Sequence, residues 1–180
     1  VCDRPFQAGF SSPAGRALGR HVVHELKKRG AGHIEVPRNR DYDLRDAHAA
    51  RALFEATKPD LVIHLAARVG GIGANRRFPG TFFRDNMAMG LNVLEEARRV
   101  GSSKLVIAGT ICAYPKHASV PFREDDIWSG YPEETNAPYG IAKKALWHKP
   151  IGKNSAAIMS WYSRSTCMAP TIIFILRIPM

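Results

Sequence analysis

Residues 61–67 (LVIHLAA) are the segment that most restricts how the chain can fold. A run of this length with one polar member reads as a strand buried on both faces, and such strands belong to parallel sheets covered by helices. Residues 104–109 (KLVIAG) have the same character. Around them the apolar spacing changes to the helical period. Residues 18–29 place Leu18, Val22, Val23 and Leu26 on one face, with Gly30 as a stop. Residues 46–57 bury Ala49, Ala50, Leu53 and Phe54 in the same way. Residues 82–100 form a long amphipathic helix before Gly101, and residues 138–147 begin another with proline near its first position. Residues 33–36 are a short strand. Strands separated by helices in this rhythm predict an α/β fold, a doubly wound parallel sheet of Rossmann type.

Charge and cysteine content narrow the function classes. The formal net charge is +10, which invites a nucleic-acid reading. Only +5 of it falls within residues 18–147, and no acidic residue follows Glu134. The basic residues of that middle segment, Arg76-Arg77, Arg98-Arg99 and residues 27–29, are scattered over separate elements instead of forming the clustered basic face with interleaved aromatics that nucleic-acid binding needs. A nucleic-acid module is therefore not expected. Cys2, Cys112 and Cys167 form neither a metal-binding pair spacing nor an even disulfide framework, which favours a reducing compartment. No metal site is expected. The apolar run at 172–176 is too short to span a membrane, and the N-terminus carries no signal-peptide core. The expectation is a cytoplasmic protein without membrane partners, and Val1 in place of methionine suggests a fragment.

Chemistry concentrates at three places. Tyr139-Gly-Ile-Ala-Lys143 sets a phenol and an ammonium four residues apart, on one helical face. A neighbouring positive charge favours the phenolate, which makes such a tyrosine a usable proton donor or acceptor near neutrality. Alone, this spacing also describes an ordinary surface pair. Thr110-Ile-Cys112 follows the strand at 104–109, and open α/β sheets bind ligands beyond the carboxyl ends of their strands. Thr110 suits a hydrogen bond to a substrate carbonyl and equally suits a turn cap. Cys112 is either a structural thiol or an acid/base. At the end of the first buried strand, Ala66-Ala-Arg-Val-Gly-Gly-Ile-Gly-Ala-Asn75 is rich in small residues that would let a cofactor approach the backbone, or would form a flexible loop.

Taken together, HLAARVGGIGAN, the helix bearing Asn86, GTICAYPK and NAPYGIAKKA resemble the GDP-L-fucose synthase family of extended short-chain dehydrogenase/reductases. The likeness covers residues 18–147 with colinear spacing. It implies an NADP-dependent enzyme in which NADPH reduces a GDP-linked 4-keto-6-deoxy sugar after epimerisation at C3 and C5. Tyr139 would protonate the reduced carbonyl, Lys143 would support it and hold the coenzyme ribose, Thr110 would fix the carbonyl, and Cys112 would move protons during epimerisation. Further coenzyme contacts implied are Gly19, Asp43, Leu44, Ala66, Ala67 and Asn86. Arg38 and Arg40 follow the second strand, where arginine accommodates the NADP 2′-phosphate and an acid would select NAD; they are otherwise ordinary solvated arginines. The family expectation is a homodimer formed through the 82–100 and Tyr139 helices. Thr110 stands where the family has serine, and Ile111 replaces a second serine. Two other readings stay open, a sister nucleotide-sugar epimerase or dehydratase and a non-catalytic nucleotide-binding Rossmann domain. Retention of Thr110, Tyr139 and Lys143 together argues against the latter.

The ends depart from this pattern. A Rossmann enzyme needs a first strand and a glycine-rich turn, such as VLVTGGAGF, before its first helix. Residues 9–17 read GFSSPAGRA, with Pro13 and Arg16 where the first two glycines belong, counting back from Gly19. Shifted by one nucleotide, the codons of 9–17 permit V-L-V-T-G-G-A-G, and those of 157–180 permit strings resembling the family's PVNLYGPHDNF and NSH segments. The expected organisation is an aberrant segment at 1–17, an NAD(P)-binding domain at 18–147 and an aberrant, frame-shifted tail at 148–180. The first strand and the C-terminal substrate domain would be damaged or missing.

Overall fold

A computed structural model describes residues 13–147 and 173–177, with side chains described over 18–147. In chain order the elements are α1 (Pro13–Lys28), β1 (His33–Glu35), α2 (Ala47–Thr57), β2 (Leu61–His64), α3 (Ile72–Arg77), α4 (Pro79–Arg99), β3 (Lys104–Ile107), α5 (Ala137–Ala145) and β4 (Ile173–Arg177). Two 3-10 turns, Ile111–Ala113 and Glu124–Trp128, lie between β3 and α5.

The sheet order is β1-β4-β2-β3. β2 and β3 pair in parallel, with His64 opposite Ile107, and β1 runs in the same direction. β4 lies between β1 and β2, antiparallel to both. The apolar run at the end of the chain thus occupies the position between neighbouring strands where a doubly wound sheet places its first strand. Helices cover both faces. Val62 and Ala66 pack against Ala50, Leu53 and Phe54 of α2 and Met89, Val93 and Ala97 of α4. Leu61, Ile63 and Leu65 pack against Leu18, Val22, Val23 and Leu26 of α1. Both sets are apolar because each face has a helix layer to meet. Burial of a side chain the size of Phe54, wholly enclosed here, contributes about 2–3 kcal/mol.

Element ends follow local chemistry. Asp46 caps α2, its carboxylate accepting from the His48 N–H at 2.9 Å, and Lys58 ends the helix in the left-handed region at φ 41°. The expected strand at 61–67 stops at His64. β3 ends opposite that residue and β4 begins there. Residues 65–67 remain buried and carry the chain out of the sheet. α1 starts at Pro13, five residues before the apolar periodicity becomes visible, with proline at a position whose N–H no helix would use. The small-residue loop contains a short helix: Gly71 precedes α3, and Asn75 Nδ2 donates to the carbonyls of Gly70 and Gly71 at 2.8 and 3.2 Å. None of the helices among the described residues is long and apolar enough to cross a membrane.

Candidate active site

The carboxyl ends of β2 and β3 and the start of α5 converge. Thr110 follows β3 in extended conformation and caps the first 3-10 turn, its Oγ1 accepting from the Cys112 N–H at 3.2 Å. Capping uses a lone pair and leaves the hydroxyl proton to donate. The two roles read for Thr110 are therefore compatible. Cys112, half-buried, packs in one cluster with Tyr139, Ala67 and Phe82.

α5 carries the pair expected from its spacing. Tyr139 and Lys143 are both buried on its inward face. Lys143 Nζ donates to the Ala66 carbonyl at 3.4 Å, reaching from α5 to the end of β2. Burial pushes its pKa down to about 8, so it is still mostly charged at neutral pH. That single long hydrogen bond leaves two N–H donors on a buried amine. This donor capacity, beside the small Ala66 and Ala67, fits the vicinal hydroxyls of a nicotinamide ribose. α5 can approach the Cys112 turn because residue 140 is glycine. A β-carbon there would lie 2.1 Å from the Cys112 carbonyl oxygen. Gly140→Ala should therefore destabilise the protein by about 1–3 kcal/mol, because the clash with backbone outweighs the roughly 1 kcal/mol gained in helix propensity. Urea unfolding checks this, and a stabilised variant would contradict it.

Other expected residues are placed as follows. Asn86, buried on α4, directs its side chain to backbone: Oδ1 accepts from the Arg68 N–H at 2.9 Å, and Nδ2 donates to the carbonyls of Arg68 (2.8 Å) and Phe82 (2.7 Å). It clamps the loop leaving β2. Arg38 and Arg40 are exposed beyond β1, with Arg40 Nε 3.3 Å from Asp41. Asp43 is engaged by the Arg45 guanidinium at 2.5 Å; this bond holds its carboxyl below the usual range despite partial burial. Leu44 points into the core, and its carbonyl accepts from Asn92 at 2.9 Å. Gly19 is buried within α1.

Three features escaped the sequence reading. Asp85 on α4, 1% exposed, is held by Arg68, by Arg84 at 2.8 Å and by Arg45 at 3.3 Å. Burial raises its carboxyl pKa, but the three guanidinium hydrogen bonds outweigh this and hold it low. Asn136 opens α5 without capping it and reaches Cys112 instead. His64 is fully buried in β2 on the face that carries Val62 and Ala66. Neither of its ring nitrogens has a hydrogen-bond partner among the described residues. A histidine inside an otherwise apolar strand was the available signal. Burial, and then the Lys143 charge, push its pKa down to about 3. It stays neutral in the fold and takes up a proton on unfolding below about 6.5. Stability is fully present above that value and falls as pH drops toward 3, by about 1.4 kcal/mol per pH unit from this group. Between pH 7 and 5, His64→Leu should lose about 2 kcal/mol less than the parent in urea unfolding; equal losses would contradict it.

The comparisons with known proteins agree on one family. The model of the NAD dependent epimerase/dehydratase family matches residues 14–148. Escherichia coli GDP-L-fucose synthase is 35% identical over 163 residues, which is 87% of this chain and 50% of that protein. The NADP-bound GDP-L-fucose synthetase of Naegleria fowleri superposes with a TM-score of 0.60 at 31% identity, covering 71% of this chain and 38% of the other. The NADP-bound GDP-mannoheptose C4 reductase MlghC of Campylobacter jejuni gives 0.66 at 27% identity, covering 71% and 40%. The chain spans about half the length, or less, of the curated relatives it matches.

Proposed function

The chain belongs to the NAD-dependent epimerase/dehydratase family, and we propose that it is the coenzyme-binding part of an NADPH-dependent epimerase-reductase converting GDP-4-keto-6-deoxy-D-mannose to GDP-L-fucose. The observation that carries this reading is the buried Tyr139–Lys143 pair on α5, packed against the Thr110–Cys112 turn at the carboxyl end of β3. When bound, NADPH supplies the hydride to the C4 carbonyl carbon. Tyr139 gives its phenolic proton to the carbonyl oxygen. Lys143, charged at neutral pH, stabilises the phenolate left behind and offers its remaining N–H groups to the ribose. Thr110 donates its hydroxyl proton toward the same oxygen. For epimerisation, the Cys112 thiolate takes the proton from the carbon beside the keto group, and the C–H electron pair moves into an enolate whose oxygen Thr110 and Tyr139 hold. The enolate carbon then takes a proton from an acid on the opposite face of the sugar, which completes the inversion. Arg38 and Arg40, exposed beyond β1, favour the 2′-phosphate of NADP over NAD.

Residues 1–17 and 148–180 are proposed to be translated out of frame. DNA whose codons cannot yield the recovered strings, in one unbroken frame through both junctions, would refute this. The reframed gene product tests the function: it should oxidise NADPH with GDP-4-keto-6-deoxy-D-mannose in preference to UDP- or dTDP-linked 4-keto sugars. A preference for either of the latter would move the protein to a sister epimerase or dehydratase.

A further inference from the structure

Asparagine at the start of a helix ordinarily turns its side-chain oxygen onto the backbone N–H two or three residues on. Asn136 precedes α5 and makes no such bond. Its Nδ2 instead donates to Cys112 Sγ at 3.4 Å, across 24 residues of sequence. Its Oδ1 is buried with no partner among the described residues. Forgoing the cap and burying an unpaired oxygen both cost free energy, so the amide orientation is set by the sulfur rather than by the helix. One turn on, Gly140 lies against the Cys112 carbonyl, so the first turn of α5 holds both the backbone and the side chain of this cysteine.

We propose that Asn136 is a positioning residue for Cys112, its amide N–H holding the sulfur in place and favouring the thiolate that removes a sugar C–H proton. This rests on the reading of Cys112 as the epimerisation acid/base. An N–H donor has nothing to gain from a neutral sulfur comparable to what it gains from an anionic one. The other titratable groups of the two elements that meet here are Tyr139, in the same cluster, Lys143, directed to the Ala66 carbonyl, and Lys144, which donates to the Gly130 carbonyl at 3.1 Å. Glu133, just before α5, spends its carboxylate on the backbone N–H and hydroxyl of Thr135. Asn136 Nδ2 reaches the sulfur from the start of α5.

The experiment uses the full chain with Cys2→Ser and Cys167→Ser, and follows iodoacetamide alkylation of Cys112 against pH. Asn136→Ala and Asn136→Ser should both move the alkylation profile about one pH unit upward, a loss of about tenfold in rate near neutrality. Serine keeps a helix-capping side chain but not the amide donor, so it separates the two roles and remains informative where alanine fails to fold. Asn136→Asp, of the same shape but anionic, should move the profile further up. Profiles for the serine and alanine variants that superpose on the parent, or shift downward, would overturn the proposal, as would an aspartate variant titrating with the parent. The readout needs neither coenzyme nor sugar. Its failure leaves the Tyr139–Lys143 reading intact, and failure of the sugar assay leaves the Asn136–Cys112 pair intact.

Discussion

Tyr139→Phe should lower NADPH-dependent reduction by the reframed protein by a factor of about 100 to 10,000, the usual loss when a positioned proton donor is removed. Phenylalanine keeps the ring packed among Ala67, Phe82 and Cys112, so folding should be unaffected. Lys143→Met should cost as much activity while acting on stability with the opposite sign. Burial lowers the Lys143 pKa to about 8, so below that pH the fold holds a charge it disfavours, and stability rises as pH climbs from 8 toward the unfolded value near 10.5. Replacing the amine with an apolar side chain of similar length should therefore stabilise the protein by about 1–3 kcal/mol at pH 7. A rise in the urea midpoint together with lost turnover would mark Lys143 as retained for chemistry. A fall in both would make it a structural lysine.

The second large effect concerns coenzyme affinity. The chain as it stands should bind NADPH more weakly than the low micromolar range, because Pro13 and Arg16 stand where the proposed reading would place two glycines of a dinucleotide turn. Proline lacks an N–H, and glycine is the residue that lets pyrophosphate approach a backbone closely. Replacing residues 9–17 with VLVTGGAGF should tighten binding at least about 100-fold, as anion contacts at a helix N-terminus are restored. The new strand must pair between β1 and β2, where β4 now lies antiparallel, and one strand fills that position. Truncation before Ile173 should then leave the affinity of the restored protein unchanged. Unaltered binding after restoration would show that the missing glycines are not what limits the chain.

Much of this architecture can be read along the chain because it is written in local periodicity. The two apolar runs gave β2 and β3, Asp46 gave the start of α2, and the four-residue spacing of Tyr139 and Lys143 placed both on one face of α5, while their burial came from the packing. What stayed hidden depends on partners distant in sequence. The place of β4 in the sheet is chosen by two strands more than a hundred residues away, and its five residues carry no sign of it. Asn136 looks like a cap until the 110–112 turn is set beside it. Asp85 looks like a surface acid on an amphipathic helix until Arg45 and Arg68 arrive from two other segments. His64 was in plain view, but its missing partners follow only from the packing of β2 beneath α2 and α4.

The most direct measurement is product analysis of the reframed protein with GDP-4-keto-6-deoxy-D-mannose and NADPH in deuterated water. The Thr110, Cys112, Tyr139 and Lys143 site predicts a reduced sugar carrying solvent deuterium at both C3 and C5, with Cys112→Ser abolishing the deuterium and Tyr139→Phe abolishing reduction. Reduction that proceeds without deuterium, or that survives Tyr139→Phe, would contradict it.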